Sequence, residues 1–241
     1  MAETKDSARG KVPPRVAIDG PAGAGKSTVA KRLAERLGFL HVDTGALYRT
    51  VALAASRAGA PWEDEGRIAA VAEAIVTERR IRMERGTGGG AMRVLLDGED
   101  VSAAIRTPEM SAGASRVSAI AAVRQALLDL QRQAGAAGGV VLEGRDIGTV
   151  VFPDAEVKLF LTATPEERAQ RRYEEMIEKG VVTTYAATLE DQRARDKADT
   201  ERRVAPLRKA EDAVLVDSTG RDVGDVIEEM VRVVQARRRD L

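Results

Sequence analysis

Residues 16–27 read Val16-Ala17-Ile18-Asp19-Gly20-Pro21-Ala22-Gly23-Ala24-Gly25-Lys26-Ser27. The opening run is short, apolar and partly β-branched, and it stops at Asp19-Gly20, which is how a buried strand of a parallel sheet reads. From Ser27 to Leu37 the period lengthens: Val29, Ala30, Leu33, Ala34 and Leu37 fall on one helical face, and Gly38 is placed to end it. Between strand and helix, Gly20 to Ser27 fits G-x-x-x-x-G-K-[ST] at every fixed position. Glycines there let backbone N–H groups turn inward around phosphate oxygens, and the helix N-terminus adds partial positive charge. The stretch Gly20, Pro21, Ala22, Gly23, Ala24, Gly25, Lys26, Ser27 and Thr28 is therefore a candidate ATP or GTP cradle. Lys26 is expected to reach the β- and γ-phosphates, and the Ser27 hydroxyl to ligate Mg²⁺.

Outward from this loop, the strand–helix alternation continues. Phe39 to Val42 reads as a strand and Gly45 to Ala58 as a helix. The rhythm breaks between Pro61 and about Ala119, read as an insertion on one edge of the sheet. Within it, Arg80–Glu84 and Met92–Leu96 flank a Gly86–Gly90 patch and suggest an antiparallel hairpin, and Asp97-Gly98 marks a turn. Thr107-Pro108 opens a helix, with Thr as N-cap and Pro at the first helical position. A longer helix is expected over about 121–133. Strands return at Val140–Leu142, Val157–Leu161 and Val214–Val216. Thr164-Pro165-Glu166-Glu167 matches a capping box opening an Arg-rich helix to Lys179-Gly180. A charged helix is expected from about Thr188 to Arg203, and a last one from Val223 to Arg237. The fold class is thus α/β: a parallel sheet flanked by helices.

The chain has 241 residues, which fits one or two domains. With no Cys it carries no disulfide framework, no Cys-ligated zinc and no thiol nucleophile. Lys+Arg and Asp+Glu both number 38, so no general basic excess points to nucleic acid. No run approaches the roughly 18 apolar residues of a membrane span, and the N-terminus lacks an apolar signal core. The expectation is a cytoplasmic protein with a polar tail over 1–14, no nucleic-acid partner and no membrane association.

Nucleotide binding does not name a reaction. No N-K-x-D guanine-reading string and no L-S-G-G-Q stretch occurs, which leaves mostly small kinases. A phosphorylated acceptor would draw arginines to the carboxyl ends of strands. Thr44 and Arg49 follow the second strand. Glu143-Gly144-Arg145-Asp146 follows the third, with Arg145 and Asp146 read as a charged pair. Arg168, Arg171 and Arg172 share a helix face, where Glu167, Glu174 and Glu175 also allow an ordinary solvated surface. Arg195, Asp199 and Arg202 share another, open to reading as an ion-pair ladder. His41 reads as structural and Trp62 as a packing or loop residue. Asp19 and Glu143 can each meet Mg²⁺ directly or through water.

The strings IDGPAGAGKST, VDTGALYR, LLDGEDVSAAIRT, GRDIGTVVFPDA, ATPEERAQRR, RDKADTERRVAPL and LVDST, in that order, resemble bacterial cytidylate kinase, a nucleoside-monophosphate kinase family, from Val16 to about Val234. The resemblance implies a P-loop NTPase fold with a five-stranded parallel core. It also implies an insertion, about 61–119, that binds the nucleoside monophosphate and holds a small antiparallel element, and a helical lid, about 168–200, within one domain over 15–241. It implies transfer of a phosphoryl group from ATP, with Mg²⁺, to CMP or dCMP by a monomer. On this resemblance Thr44, Arg49, Arg145 and Arg202 meet the acceptor phosphate, and Ser115, Arg124 and Asp146 read cytosine. Arg195 and Asp199 meet the pentose, while Lys26, Arg168, Arg171 and Arg172 act on the moving phosphoryl group. Thr44 stands where Ser is common in that family, and Glu143 where many members have Asp. The competing readings are a kinase for another small acceptor, such as UMP or a metabolite, and a nucleotide-dependent switch protein.

Overall fold

The computed structural model describes residues 12–86 and 92–240. Most of the expected tail and residues 87–90 of the glycine patch lie outside the described residues. The central sheet is parallel throughout. Its strands are β1 (Arg15–Asp19), β2 (Leu40–Asp43), β6 (Val140–Gly144), β7 (Val157–Thr162) and β8 (Val214–Asp217), in the order β2-β6-β1-β7-β8. This order puts the carboxyl ends of β1, β6 and β2 side by side, and everything discussed below gathers there.

One face of the sheet is covered by α1 (Lys26–Leu37) and α8 (Val223–Asp240). Val29, Ala30 and Leu33 of α1 pack with Val16, Ile18, Val141 and Leu159 of the strands. Each fully buried side chain of the size of Leu33 contributes roughly 1.5–3 kcal/mol. Gly38 ends α1 in a left-handed conformation, φ 69°, with the Phe39 N–H returning to the Ala34 carbonyl.

The insertion builds its core jointly with its neighbours. Ile68 and Ile75 of α3 (Glu65–Thr77), Ile81 of β3 (Ile81–Arg85), Val94 and Leu96 of β4 (Met92–Leu96) and Val117 of α4 (Pro108–Val117) belong to it. They pack with Leu47 and Val51 of α2 (Gly45–Arg57) and with Val123 and Leu127 of α5 (Ala121–Gly135). The small sheet is antiparallel, β3-β4-β5, where β5 is Glu99–Asp100. Asp97 and Gly98 join β4 to β5 with both φ positive, at 55° and 82°, the geometry of a two-residue hairpin.

Four features depart from the sequence reading. Helix α3 was not anticipated; the Asp64 carboxylate accepts the Arg67 N–H and starts it four residues into the stretch read as an insertion. The charged helix α7 (Tyr185–Glu201) begins three residues early because the Thr184 hydroxyl accepts the Ala187 N–H. After β6, residues Ile147–Val151 form a π-helical turn, with the Phe152 N–H bonded to the Ile147 carbonyl. At the start of α6 (Pro165–Glu178) the Thr164 hydroxyl accepts the Glu167 N–H, but the capping box is not completed. The Thr164 N–H goes to the Thr219 hydroxyl and the Glu167 carboxylate to Arg171. The Thr107 cap of α4 forms as expected.

Thr107 accepts the Met110 N–H at 3.1 Å. We expect Thr107→Ala to cost about 1 kcal/mol and to lower the midpoint of thermal unfolding by about 2–4 °C. An unchanged midpoint in a calorimetric scan would show that packing alone sets the start of α4.

Candidate active site

Asp19 ends β1 buried. Its two oxygens accept the backbone N–H groups of Ile147 and Gly148, each at 2.8 Å, so the π-helical turn is bolted to the strand. Burial pushes this carboxyl up to about 6, against the pull of those two N–H groups. The next residue, Gly20, has no room for a side chain: a Cβ there would lie 2.0 Å from the Leu161 carbonyl oxygen. Gly23 and Gly25 hold φ of 73° and 84°, which turns the loop inward before α1 starts at Lys26.

The Lys26 ammonium is buried and donates to the Pro21 carbonyl at 2.7 Å. Burial and the positive charge of Arg145 push Lys26 down to about 7. The Ser27 hydroxyl donates to Glu143 Oε2 at 2.9 Å. Glu143 ends β6, and its backbone carbonyl accepts from the Thr44 hydroxyl at 2.7 Å. The Glu143 side chain therefore meets the phosphate loop while its backbone meets the start of α2.

Two helices reach the loop from the far side. Arg168 of α6 is buried; it forks onto Asp196 of α7 at 2.9 and 2.6 Å and donates to the Ala22 carbonyl at 3.0 Å. Gln192 of α7 donates to the same carbonyl at 2.9 Å. Arg171 turns toward the loop after β8, donating to the Ser218 carbonyl at 2.9 Å and pairing with Glu167. Arg172 pairs along the helix with Glu175 at 2.9 Å, though its charge is close enough to depress that of Arg195. The solvated-surface alternative thus fits Arg171 and Arg172, which pair with Glu167 and Glu175, and not the buried Arg168. Gln192 and Asp196 were not anticipated, since nothing local links either to Ala22 or Arg168.

On the acceptor side, guanidinium groups converge. Arg124 forms a buried ion pair with Asp146 and lies over the Tyr48 ring, 5.3 Å from its centre. Arg145 bonds Asp199 at 2.8 Å. The expected Arg145–Asp146 pair does not form, because these neighbours point to different partners. Of the ladder along α7 only a loose Asp199–Arg202 ion pair forms, because Asp199 gives its short hydrogen bond to Arg145. Arg202 caps α7, donates to the Ala205 carbonyl at 2.6 Å, and stands 3.9 Å from both Asp146 and Asp199, too far for a hydrogen bond. Arg49 bonds Asp43 at 2.7 Å. Arg202 Nη2 and Arg49 Nε are buried with no hydrogen-bond partner among the described residues.

Burial and Arg145 lower Arg195, and burial and Arg124 lower Arg202. Burial works to raise Asp199, yet Arg145 with Arg202 and Arg195 holds it below the usual carboxylate range. Ser115 is half-buried on α4, and its hydroxyl makes no hydrogen bond among the described residues. A cleft of about 360 Å³ opens between Tyr48, Arg124, Gln131, Asp146 and Ala205.

No group of three His, Cys, Asp or Glu able to hold a metal stands among the described residues. Ser27 and Glu143 nevertheless offer hard oxygen donors at the N-terminus of α1. That set suits a hard dication which takes most of its ligands from phosphates and water.

The comparisons agree with this geometry. The family model for cytidylate kinase matches residues 16–236. The chain is 54% identical over 222 residues to the cytidylate kinase of Syntrophotalea carbinolica, covering 92% of each chain. It is 51% identical over 224 residues to that of Geobacter sulfurreducens, covering 93% of this chain and 94% of the relative. It is 47% identical over 219 residues to that of Pseudomonas aeruginosa PAO1, covering 91% and 94%. With a parallel α/β core, a lysine-bearing phosphate loop and a second basic site facing it, the chain belongs to the cytidylate kinase family.

Proposed function

We propose that this chain transfers the γ-phosphoryl group of ATP to CMP and dCMP, directly and in line, giving ADP and the cytidine diphosphate. The observation that carries the acceptor side is the set of buried and half-buried guanidinium groups near the strand ends, two of them, Arg49 and Arg202, with a buried nitrogen that has no hydrogen-bond partner among the described residues. A buried donor left unsatisfied is costly, and a phosphate dianion supplies the missing acceptors. A protein that bound and hydrolysed ATP as a switch would have no use for this second basic site.

In this reading the loop from Gly20 to Thr28 grips the donor triphosphate. Lys26 gives up the Pro21 carbonyl for phosphate oxygens, and Ser27 with Glu143 holds Mg²⁺. The ion, when bound, neutralises charge across the β- and γ-phosphates. Thr44, Arg49, Arg145 and Arg202 take the acceptor phosphate, so that two anions can approach. Arg195 and Asp199 meet the pentose. Arg168, Arg171 and Arg172 belong to a lid, about 168–200, that neutralises the moving phosphoryl group and excludes water. Arg168 is tied to the loop through the Ala22 carbonyl, which Gln192 shares.

Ser115, Arg124 and Asp146 present a mixed donor and acceptor edge to cytosine N3, O2 and N4. Uracil reverses the pattern at N3 and position 4, leaving a buried polar group unpaired. The insertion, about 61–119, supplies Ser115 on α4 and closes the acceptor side. Phosphoryl transfer of this kind asks the protein for positioning and charge, and no general base is needed. Small molecules are the partners, the working unit is the monomer within one domain over 15–241, and the setting is the cytoplasm. Among the described residues no helix is long and apolar enough to cross a membrane.

ADP release with ATP, Mg²⁺ and each monophosphate in turn tests the reading. We expect strong turnover with CMP and dCMP, weak turnover with UMP and little with AMP or GMP; slow release independent of acceptor would refute the acceptor site. Lys26→Ala should lower kcat by about 10²–10³-fold or more. Asp146→Ala should narrow the CMP-over-UMP preference by about 10²-fold, and equal loss of both activities would remove Asp146 from base reading.

Burial and the charge of Arg145 push Lys26 down to about 7, and the negative charge of a triphosphate beside it would raise it again. ATP binding at pH 8 should therefore take up a proton, and affinity should fall as pH rises from 7 toward 9. Calorimetric heats that differ between buffers of different ionisation enthalpy would show the uptake; identical heats would contradict it.

A further inference from the structure

His41 is the single histidine of the chain. It sits in β2, at the edge of the central sheet, with a side chain about one-tenth exposed. Read from sequence it is a structural residue. Among the described residues its ring makes one polar contact: Nε2 lies 2.9 Å from Glu143 Oε1. The other Glu143 oxygen, Oε2, accepts the Ser27 hydroxyl at 2.9 Å. Three elements are thereby joined in one line, from the β2 edge through the end of β6 to the first turn of α1.

We propose that His41 is a positioning residue for the Mg²⁺–triphosphate grip, acting through Glu143 on Ser27. The proposal rests on the donor-site reading of Lys26 and Ser27. Its physical content is orientation. Nε2 is the ring nitrogen facing a carboxylate, while Nδ1 is buried with no partner among the described residues. An N–H on Nε2 satisfies this arrangement, since an ionised carboxylate can only accept. The Nε2–H then donates to Oε1 and fixes the torsion of the carboxylate. With Oε1 held, Oε2 keeps the direction that receives Ser27. Without that bond the carboxylate is free to rotate, and the Ser27 hydroxyl loses the partner that aims it. Asp43, the other carboxylate near the ring, is already committed to Arg49 and to the Ala46 N–H.

The direct test is binding of a fluorescent ATP analogue at increasing Mg²⁺, which reads the grip without turnover. His41→Phe keeps a ring of similar size and removes the donor. We expect it to raise the Mg²⁺ concentration needed for half-maximal tightening by roughly tenfold, with Mg²⁺-free binding and the unfolding midpoint little changed. His41→Gln, whose amide can still donate to Oε1, should recover most of the loss. In a Glu143→Ala background, His41→Phe should add little, because its route to Ser27 is gone. Should His41→Phe not fold, His41→Leu carries the same comparison.

An unchanged Mg²⁺ dependence in the folded donor-less variant overturns the proposal, as does equal loss in His41→Gln. A full additional loss in the Glu143→Ala background overturns it too. Wild type and Ser27→Ala separate this from the underlying reading. Mg²⁺-dependent tightening that is lost in Ser27→Ala upholds the donor site whatever His41 does, whereas no Mg²⁺ dependence in wild type removes both.

Discussion

A guanidinium buried without a counter-ion costs several kcal/mol, and the carboxyl ends of β1, β6 and β2 gather a number of them in one place. The chain meets this by giving buried or half-buried arginines a carboxylate of their own: Arg124 has Asp146, Arg145 has Asp199, Arg49 has Asp43 and Arg168 has Asp196. The strands, the π-helical turn and helix α7 are arranged so that these pairs can form. The pairing fixes the orientation of each guanidinium, the preorganisation that the proposed charge stabilisation requires. Arg49 Nε and Arg202 Nη2 are the buried nitrogens that this pairing leaves without a partner among the described residues.

The same logic explains why the lysine of the phosphate loop donates to the loop's own Pro21 carbonyl. A buried ammonium needs an acceptor, and the loop supplies a weak neutral one that phosphate oxygens can displace. Helices α6 and α7 use a neighbouring carbonyl, that of Ala22, which takes N–H donors from both Arg168 and Gln192. The phosphate loop is thus hydrogen-bonded to these helices through Ala22 and linked to the start of α2 through Glu143.

Much of this was legible in the sequence where the signal is local. The loop from Gly20 to Ser27, the cap at Thr107 and the Asp97-Gly98 turn each depend on a few adjacent residues, and each forms as read. The strand ends that gather the arginines were legible for the same reason. What the sequence hid is partnership. Arg145 and Asp146 are adjacent, yet they bond residues 54 and 22 positions away. Arg168 bonds Asp196, 28 residues on, so its helix-face spacing from Arg171 and Arg172 was no guide. The π-helical turn and the role of His41 follow from tertiary packing around Asp19 and Glu143, and no periodicity marks either. Ser115 and Arg124 drew notice only through the family resemblance, since a helical Ser and Arg have no local signature.

The account turns on one claim: the site holds two phosphates side by side and passes the phosphoryl group between them with no covalent stop on the protein. The measurement that tests it most directly is the stereochemical course, with ATP made chiral at the γ-phosphorus by oxygen isotopes and CMP as acceptor. A single in-line displacement predicts inversion of configuration at phosphorus in the CDP formed. Retention would mean that a protein side chain carries the phosphoryl group between donor and acceptor, and the paired-arginine account of catalysis would be wrong.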